Sequence, residues 1–187
     1  MDIVNAKPYA FAHIVPERLL TPGGVQAATD QAIDALVRAA VDAKIAGSAD
    51  GLTIRPILPA TDLDYTNEDW LSPSLTVNAW TQVVSEALNT PVAICFYGVF
   101  FWASQPETTF IRYRQGSGGS GSTRFVYGLQ RLFGEDNPAG YHEPVVYTPG
   151  NTVYIDGYKR NATGTDRFGF FGFTAEPRGK IMDGRSL

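Results

Sequence analysis

Between residues 24 and 45, apolar side chains recur every three or four positions, with charged residues between them. This spacing places the apolar side chains on one side of an α-helix and the charged ones on the other. Pro22 suits the first helical turn, where its missing N–H costs nothing, and Gly47 suits the end. The pattern predicts a helix that packs through Val25, Ala28, Ala32, Ile33, Leu36, Val37, Ala40, Val41 and Ile45.

Residues 76–88 show a similar spacing. Four apolar residues from Val77 to Leu88 lie three or four positions apart, which would place them on one face of a helix. Val83 and Val84 are β-branched, however, and such residues are favoured in strands. We predict a second helix here and keep a strand as the alternative.

Beyond residue 89 the chain alternates between short apolar segments and turn residues, as β-proteins do. Residues 92–103 form an apolar run that is too short for a membrane-spanning helix and suits a strand buried on both faces. Residues 108–114 and 124–131 alternate around a Gly–Ser loop at 116–122, which predicts an antiparallel hairpin. Ile111, Tyr113, Phe125, Tyr127 and Leu129 are expected inside, and Arg112, Arg114, Arg124 and Gln130 outside.

Further strands are predicted at residues 52–58, 144–147, 152–158 and 167–174, separated by turns that contain proline or glycine. The last of these is low in charge and strongly strand-forming, so an exposed copy would aggregate and the segment must be covered. Six or seven short strands with one or two helices in the N-terminal half predict a mainly β (α+β) fold. An antiparallel β-sandwich is the expected architecture.

The 187 residues suffice for a single domain with a substantial core. We divide it into an extended, proline-containing arm (1–22), a helix-bearing region (23–89) and a β-rich sandwich region (90–187). The arm's apolar side chains must be buried against its own domain or against a neighbour, and both remain open. Its candidate assembly residues are Tyr9, Phe11, Ile14 and Val15.

Composition narrows the chemistry that this chain can perform. With 19 glycines, 12 prolines and 18% charged residues, it suits turn-rich β structure and not a coiled coil or a disordered chain. Two histidines and one cysteine leave little material for metal, thiol or histidine-dependent catalysis. We therefore predict no catalytic residue, no cofactor and no metal. Cys95, within an apolar run, is expected to be a buried thiol.

Charge is distributed unevenly along the chain. Residues 1–103 carry 5 Lys and Arg against 11 Asp and Glu, whereas residues 104–187 carry 10 against 8. An acidic half and a basic half could complement each other between neighbouring copies in a head-to-tail contact. The alternative is that the charges interleave on one folded surface.

Two local motifs have plain interpretations. Residues 116–121 contain G-x-G-x-x-G, but the residues that follow alternate as a strand, and a dinucleotide site needs a helix there. Residues 62–69 gather four carboxylates, yet an EF-hand would need Gly where Asn67 stands and Glu where Pro73 stands. We expect the glycine-rich segment to be a flexible loop and residues 62–69 to be a solvated acidic loop. A hydrolase that uses Asp62, Asp64 or Glu68 is kept as an alternative.

His13 and His142 do not form a ligand-spaced pair. His142, beside Tyr141 and Glu143 in a predicted loop, is at most a weak acid–base candidate.

The outward side chains of the hairpin supply a candidate interaction surface. Aromatic rings offer large contact areas at a small entropy cost, so outward-facing ones suit a partner-binding or sugar-stacking platform. A sequence pI near 5.1 argues against nucleic acid as the partner, whereas a glycan remains open. The candidate surface residues are Trp102, Arg112, Tyr113, Arg114, Arg124 and Arg131.

The Gly–Ser hairpin tip, the strand–turn–strand run over residues 144–158 and the closing aromatic strand together resemble the jelly-roll proteins of virus and bacteriophage particles. The resemblance covers approximately residues 90–175 and rests on strand order and turn texture. It implies an eight-stranded jelly-roll sandwich that builds or decorates a capsid through subunit contacts, with no catalytic residues to carry over. The helix-bearing first half departs from a minimal jelly roll, which leaves strand count and topology open.

We therefore expect a non-enzymatic assembly protein, a capsid or virion component whose partners are copies of itself and other capsid proteins. The resemblance implies the virion as the location, and the lack of a signal-peptide or membrane-spanning pattern is consistent with synthesis in the host cytoplasm. A soluble cytoplasmic protein is the alternative location. The alternative functions are a carbohydrate-binding β-sandwich module and a carboxylate-dependent hydrolase.

Overall fold

The computed structural model describes residues 22–66, 71, 73–89, 91–101, 108–116, 121–128, 139–160 and 166–179. This part of the chain contains two α-helices, a short 3₁₀ turn at Ala49–Gly51 and eight β-strands. The helices are α1 (Pro22–Asp42) and α2 (Pro59–Asp62). The strands are β1 (Leu52–Pro56), β2 (Trp80–Ala87), β3 (Ala93–Phe101), β4 (Thr108–Gly116), β5 (Ser122–Gly128), β6 (Ala139–Tyr147), β7 (Thr152–Lys159) and β8 (Phe168–Pro177).

The strands form two four-stranded antiparallel sheets. Sheet A has the order β1-β8-β3-β6, and sheet B has the order β2-β7-β4-β5. The chain crosses between the sheets at every connection except the β4–β5 hairpin, which is the double Greek-key arrangement of a jelly roll. The predicted antiparallel sandwich is confirmed, with eight strands in place of six or seven.

The helix predicted over residues 76–88 is wrong, and the alternative holds: Trp80–Ala87 is the edge strand β2 of sheet B. Spacings of four residues caused the error, because side chains four apart share a face of a strand as well as of a helix. A bulge between Gln82 and Val84 then shifts the register, so that Trp80 faces outward and Val84 faces the core.

The principal core lies between the two sheets. On the sheet A side, Phe96 packs against Tyr147 and Phe170 with ring-centroid distances of 6.0 Å and 5.3 Å. Across the gap it meets Tyr113 of sheet B at 5.7 Å. Strands β3 and β8 occupy the centre of sheet A. The aromatic segment that had to be covered therefore packs within the chain itself, with Phe168 fully buried and the other phenylalanines of the segment partly buried. The buried residues of this core are Leu63, Leu71, Val84, Leu88, Val92, Ile94, Phe96, Val99, Ile111, Tyr113, Val145, Tyr147, Val153, Ile155 and Phe168.

Helix α1 forms a third layer on the outer face of sheet A. Its inner stripe is made mostly of alanine, which lets the helix lie close to a layer of aromatic rings on the sheet. Within that layer Tyr97 stacks on Phe173 with ring centroids 5.6 Å apart. The inner stripe is Ala28, Ala32, Leu36 and Ala40, and the rings are Tyr97, Tyr141, Phe171 and Phe173.

The predicted helix is confirmed, although it ends earlier than Gly47. The N–H of Ile45 donates to the carbonyl of Ala40, and that of Lys44 donates to the carbonyl of Val41. Lys44 has a φ of 58°, so these bonds form a Schellman motif around a left-handed residue. The chain then turns toward β1, with Ile45 buried beside the helix end.

Candidate interaction face on sheet B

The outward side chains of sheet B form transverse rows, because paired residues on antiparallel strands point to the same side. The first row is aromatic: Trp80 pairs with Tyr158, which pairs with Phe110. The second row is polar and runs through Gln82, Asp156 and Arg112, and the third runs through Ser85, Tyr154 and Arg114. We call the set Trp80, Gln82, Phe110, Arg112, Arg114, Tyr154, Asp156 and Tyr158 the arginine–aromatic face.

Asp156 lies at the centre of this face and is only 1% exposed. Its Oδ2 accepts hydrogen bonds from Nε of Arg112 at 2.8 Å and Nε of Arg114 at 2.6 Å. Its Oδ1 accepts a further bond from Nη2 of Arg114 at 2.8 Å. A buried carboxylate needs such partners, and this one fixes both guanidinium groups in position. The hydrogen bond to Asp156 is also the main cause of the raised pKa of Arg114.

Each arginine also lies over an aromatic ring. The Cζ of Arg112 is 4.3 Å from the ring centroid of Trp80, and that of Arg114 is 4.8 Å from the ring of Tyr154. The Trp80 ring further contacts Tyr158 at 5.4 Å. The contacts of Trp80 named here, Arg112 and Tyr158, lie beside it in the sheet on β4 and β7. The side chain remains 36% exposed to solvent on the outer side of sheet B.

The arginines keep hydrogen-bonding capacity on their outer side. Nε and Nη2 of both groups bind Asp156, and Nη2 of Arg114 lies 3.4 Å from the Gln82 side-chain oxygen. Within the described ranges the Nη1 atoms of Arg112 and Arg114 contact no acceptor. The arginine–aromatic face therefore combines exposed tryptophan with pre-positioned guanidinium donors.

The predicted surface residues do not all lie on the same side of sheet B. Arg112 and Arg114 point outward, as their alternation indicated. Tyr113 does not: it is 0% exposed and faces the inter-sheet core, so its assignment to an interaction surface is wrong. A residue between two outward arginines on one strand must point to the opposite side.

Arg124 is exposed, but it lies at the edge where β5 meets β6. Its Nη1 donates to the carbonyl of Val146, and its Cζ is 5.8 Å from the ring of Tyr147. Trp102, Arg131 and the arm residues Tyr9, Phe11, Ile14 and Val15 lie outside the described residues, and their roles stay predictions.

Three central members of the face were missed in the sequence, namely Trp80, Asp156 and Tyr158. Trp80 was assigned to a helix. The alternation of Tyr154, Asp156 and Tyr158 within a predicted strand was a usable signal, because alternate residues of a strand share a face. Their contacts with Arg112 and Arg114 depend on the pairing of β4 with β7, which the sequence does not show.

His142 lies in strand β6, and not in the predicted loop. Its Nδ1 donates to the carbonyl of Glu143 at 2.7 Å, so Nε2 is the acceptor for the Tyr113 hydroxyl at 2.9 Å. Burial lowers the pKa of His142 to about 4, so the ring is neutral near pH 7. Burial likewise raises the pKa of the Cys95 thiol to about 12. Both groups are enclosed parts of the fold.

Asp62 is buried at the end of α2, so the prediction of a solvated loop is wrong at this residue. Its carboxylate binds both Nη atoms of Arg55 at 2.7 Å and accepts a bond from the Leu58 N–H at 2.8 Å. Arg55 also donates to Glu176 through Nε at 3.1 Å, and its pKa is raised mainly by the bond to Asp62. The network ties α2 to β1 and β8. Glu68 lies outside the described residues.

Other site types are not found in the described part of the chain. No three His, Cys, Asp or Glu side chains of the described ranges come together as metal ligands. None of the helices seen there has the length and apolar character needed to cross a membrane.

Comparison with known proteins adds little. No protein-family model and no curated protein matches the chain. Among solved structures, the chain is similar to one of infectious bursal disease virus Gx strain, with 12% identity, a TM-score of 0.31, and coverage of 68% of this chain and 34% of that one. It is also similar to the infectious bursal disease virus VP2 subviral particle, with 13% identity, a TM-score of 0.33, and coverage of 67% and 32%.

A third similar structure is a Podospora anserina GH26-CBM35 β-(1,4)-mannanase, with 11% identity, a TM-score of 0.28, and coverage of 70% of this chain and 28% of the enzyme. The chain spans about a third of the length of the viral chains it matches. Similarities this weak carry no argument about function, which must come from the chain's own geometry.

Proposed function

We propose that this protein is a noncatalytic assembly protein, a capsid or virion component that self-associates through the arginine–aromatic face. The observation that carries the proposal is the chemistry of this face. Trp, Tyr and Arg contribute most of the binding energy in protein interfaces, particularly when they are held in place before binding. Here Trp80, Arg112 and Arg114 are held in that way by Asp156 and Tyr158.

The fold is compatible with this role but does not select it. Double-sheet jelly rolls build capsids and also form lectin domains, so architecture alone leaves both functions open. The arrangement of the face favours protein docking. Its guanidinium groups are already bound to Asp156 on the inner side, and its rings form one continuous row across three strands. Such a surface loses little side-chain entropy when a partner covers it.

The proposed partners are copies of this chain and other proteins of the same particle, and the proposed location is the virion. Residues 1–20 are a second proposed contact, through Tyr9, Phe11, Ile14 and Val15. A chain lacking residues 1–20 is expected to form smaller or weaker assemblies than the full chain. If its assemblies are unchanged in size and affinity, the arm has no part in assembly.

Sedimentation velocity over a wide concentration range tests the role of the face. The full chain is expected to associate, and Trp80→Ala is expected to shift it toward monomer. Leu58→Ala is the matched control, because Leu58 is 40% exposed but lies off the face. A chain that stays monomeric at every concentration, or a Trp80→Ala variant that assembles as well as the control, contradicts the proposal.

Carbohydrate binding is the second candidate, and the same face supports it. Trp80 offers an exposed ring next to Gln82 and Arg112, and sugars bind to such combinations of a flat ring with adjacent planar polar groups. A glycan array tests this candidate. Binding that Trp80→Ala abolishes and Leu58→Ala preserves would favour it over assembly, whereas no binding across a broad panel would reject it.

A further inference from the structure

The two broad outer faces of the molecule carry opposite charge. Helix α1 covers sheet A, and the arginine–aromatic face is the outer side of sheet B, so the two lie on opposite sides of the three layers. The outermost stripe of α1 is spaced every four residues and is exposed. It consists of Gln26, Asp30, Asp34, Arg38 and Asp42, three acids against one base. The opposite face places two arginines around one aspartate.

The spacing of the charges matches as well as their sign. Asp30 and Asp34 are four residues apart on a helix, so their Cα atoms are separated by about 6 Å along the axis. Arg112 and Arg114 are two residues apart on a strand, which separates them by about 7 Å. The Nη1 atoms of these arginines are the donors that contact no acceptor within the described ranges. Two carboxylates on α1 can therefore meet two guanidinium groups in register.

The competing partners of these aspartates are weak. Asp34 lies 3.8 Å from Arg38 in a pair whose side chains are both more than two-thirds exposed, and Asp30 accepts a bond from Gln26. Exposed pairs of this kind contribute little stability, so exchanging them for a desolvated contact has a small cost. Along one side of the stripe, residues 27, 35 and 39 are alanine and residue 31 is glutamine, and the three short side chains allow close approach to the Trp80 ring.

We infer that the outer stripe of α1 in one copy docks on the arginine–aromatic face of the next copy, with Asp30 and Asp34 meeting Arg112 and Arg114. This inference rests on the proposed function and names the partner of the same face. Because two different surfaces meet, the contact is head-to-tail, and it propagates into an open filament or closes into a ring. Salt weakens such a contact, since the Debye length falls from about 10 Å at 0.1 M to about 3 Å at 1 M.

A complementation experiment tests this geometry. Asp30→Lys/Asp34→Lys keeps the sheet face but loses the acidic stripe, and Trp80→Glu keeps the stripe but places an acid on the face. Each variant alone is expected to be monomeric at concentrations at which the wild type assembles, because its association is weakened at least about tenfold. An equimolar mixture is expected to form 1:1 heterodimers and nothing larger, because only one contact between stripe and face survives per pair and the proposed arm contact only strengthens assemblies that this contact forms. Asp50→Lys, an exposed reversal away from the stripe, is the control and should assemble normally.

The outcomes separate the inference from the proposed function. If Trp80→Glu is monomeric while Asp30→Lys/Asp34→Lys still assembles, the sheet face is a contact but α1 is not its partner. If both variants are monomeric and the mixture is too, the head-to-tail pairing is also wrong. If the wild type is monomeric, or if Trp80→Glu assembles as well as wild type, the proposed function itself fails. Circular dichroism of each variant verifies that the sandwich has folded.

Discussion

The hydroxyl of Tyr113 donates to Nε2 of His142 over 2.9 Å inside the sandwich, and this bond joins β4 of sheet B to β6 of sheet A. The imidazole can accept it only while Nε2 carries no proton. A protonated ring would donate through Nε2, so the hydroxyl would have to turn and accept, and the ring would place a charge beside the rings of Tyr113 and Phe125. Cohesion between the sheets at this edge therefore depends on a neutral His142.

This dependence predicts a loss of stability in acid. The pKa of His142 is about 4 in the folded chain and about 6.5 when unfolded, so the unfolded state binds more protons between these values. The contribution of the neutral ring is complete above about pH 6.5 and is lost as the pH falls toward 4. It amounts to at most about 3 kcal/mol. Urea unfolding at a series of pH values measures it.

The control for acid unfolding is His142→Gln, whose side chain does not titrate. Carboxylates also titrate in this range, so the informative quantity is the difference between wild type and variant at each pH. We expect the free energy of unfolding of the wild type to fall more steeply from pH 7 to 4. Parallel curves for the two proteins would show that His142 does not cause the acid sensitivity.

Asp156 is predicted to determine both the stability and the shape of the arginine–aromatic face. Asp156→Ala leaves Arg112 and Arg114 facing each other without their shared acceptor. Breaking a buried ion pair costs about 3 to 5 kcal/mol, and the partial exposure of both arginines reduces this to about 2 kcal/mol. Asp34→Ala removes an exposed pair and should cost less than about 1 kcal/mol. Equal losses in urea unfolding would mean that the buried position of Asp156 is unimportant.

The arginine–aromatic face shows how far sequence patterns reach. Alternation along β4 was enough to place Arg112 and Arg114 on one side, because a strand has a period of two. The alternation could not predict that Asp156 contacts these arginines, because that contact depends on how β4 and β7 pair. Trp80 was not predicted to belong to the face for another reason. A spacing of four residues is common to helices and strands, and the bulge at residue 83 breaks the alternation that would have distinguished a strand from a helix.

Helix α1 was predictable because its pattern is long and has a period that no strand shares. The antiparallel sandwich was predictable from the succession of short strands and turns, a pattern that does not depend on the boundaries of single strands, whereas strand count and topology stayed open. The acidic segment at residues 62–69 was misjudged at Asp62 because its partner Arg55 lies in another element. Local composition shows that a carboxylate is present, whereas its burial depends on the packing of α2 against β1 and β8.

Gly172 is predicted to tolerate no side chain. A Cβ atom at this position would overlap the carbonyl oxygen of Cys95 on the neighbouring strand β3 and the side chain of Ile57. The Ile57 side chain could move, but the carbonyl belongs to a central strand of sheet A that is paired on both sides. We expect Gly172→Ala to lower the free energy of unfolding by more than about 2 kcal/mol. Gly47→Ala, where the added atom meets nothing within 4 Å, is the control.

Lys44 is predicted to be a site where a substitution increases stability. It occupies the left-handed position of the Schellman motif with a φ of 58°, a conformation that costs an ordinary residue about 1 to 2 kcal/mol. Its side chain is exposed, so little packing is lost with it. Glycine removes that strain but makes the unfolded chain more flexible, which leaves an expected net gain of about 0.5 to 1 kcal/mol. Lys44→Gly should therefore raise the midpoint of thermal unfolding, and Lys44→Val, which is β-branched, should lower it. If the glycine variant proves less stable than wild type, the helix does not end in the left-handed turn described for it.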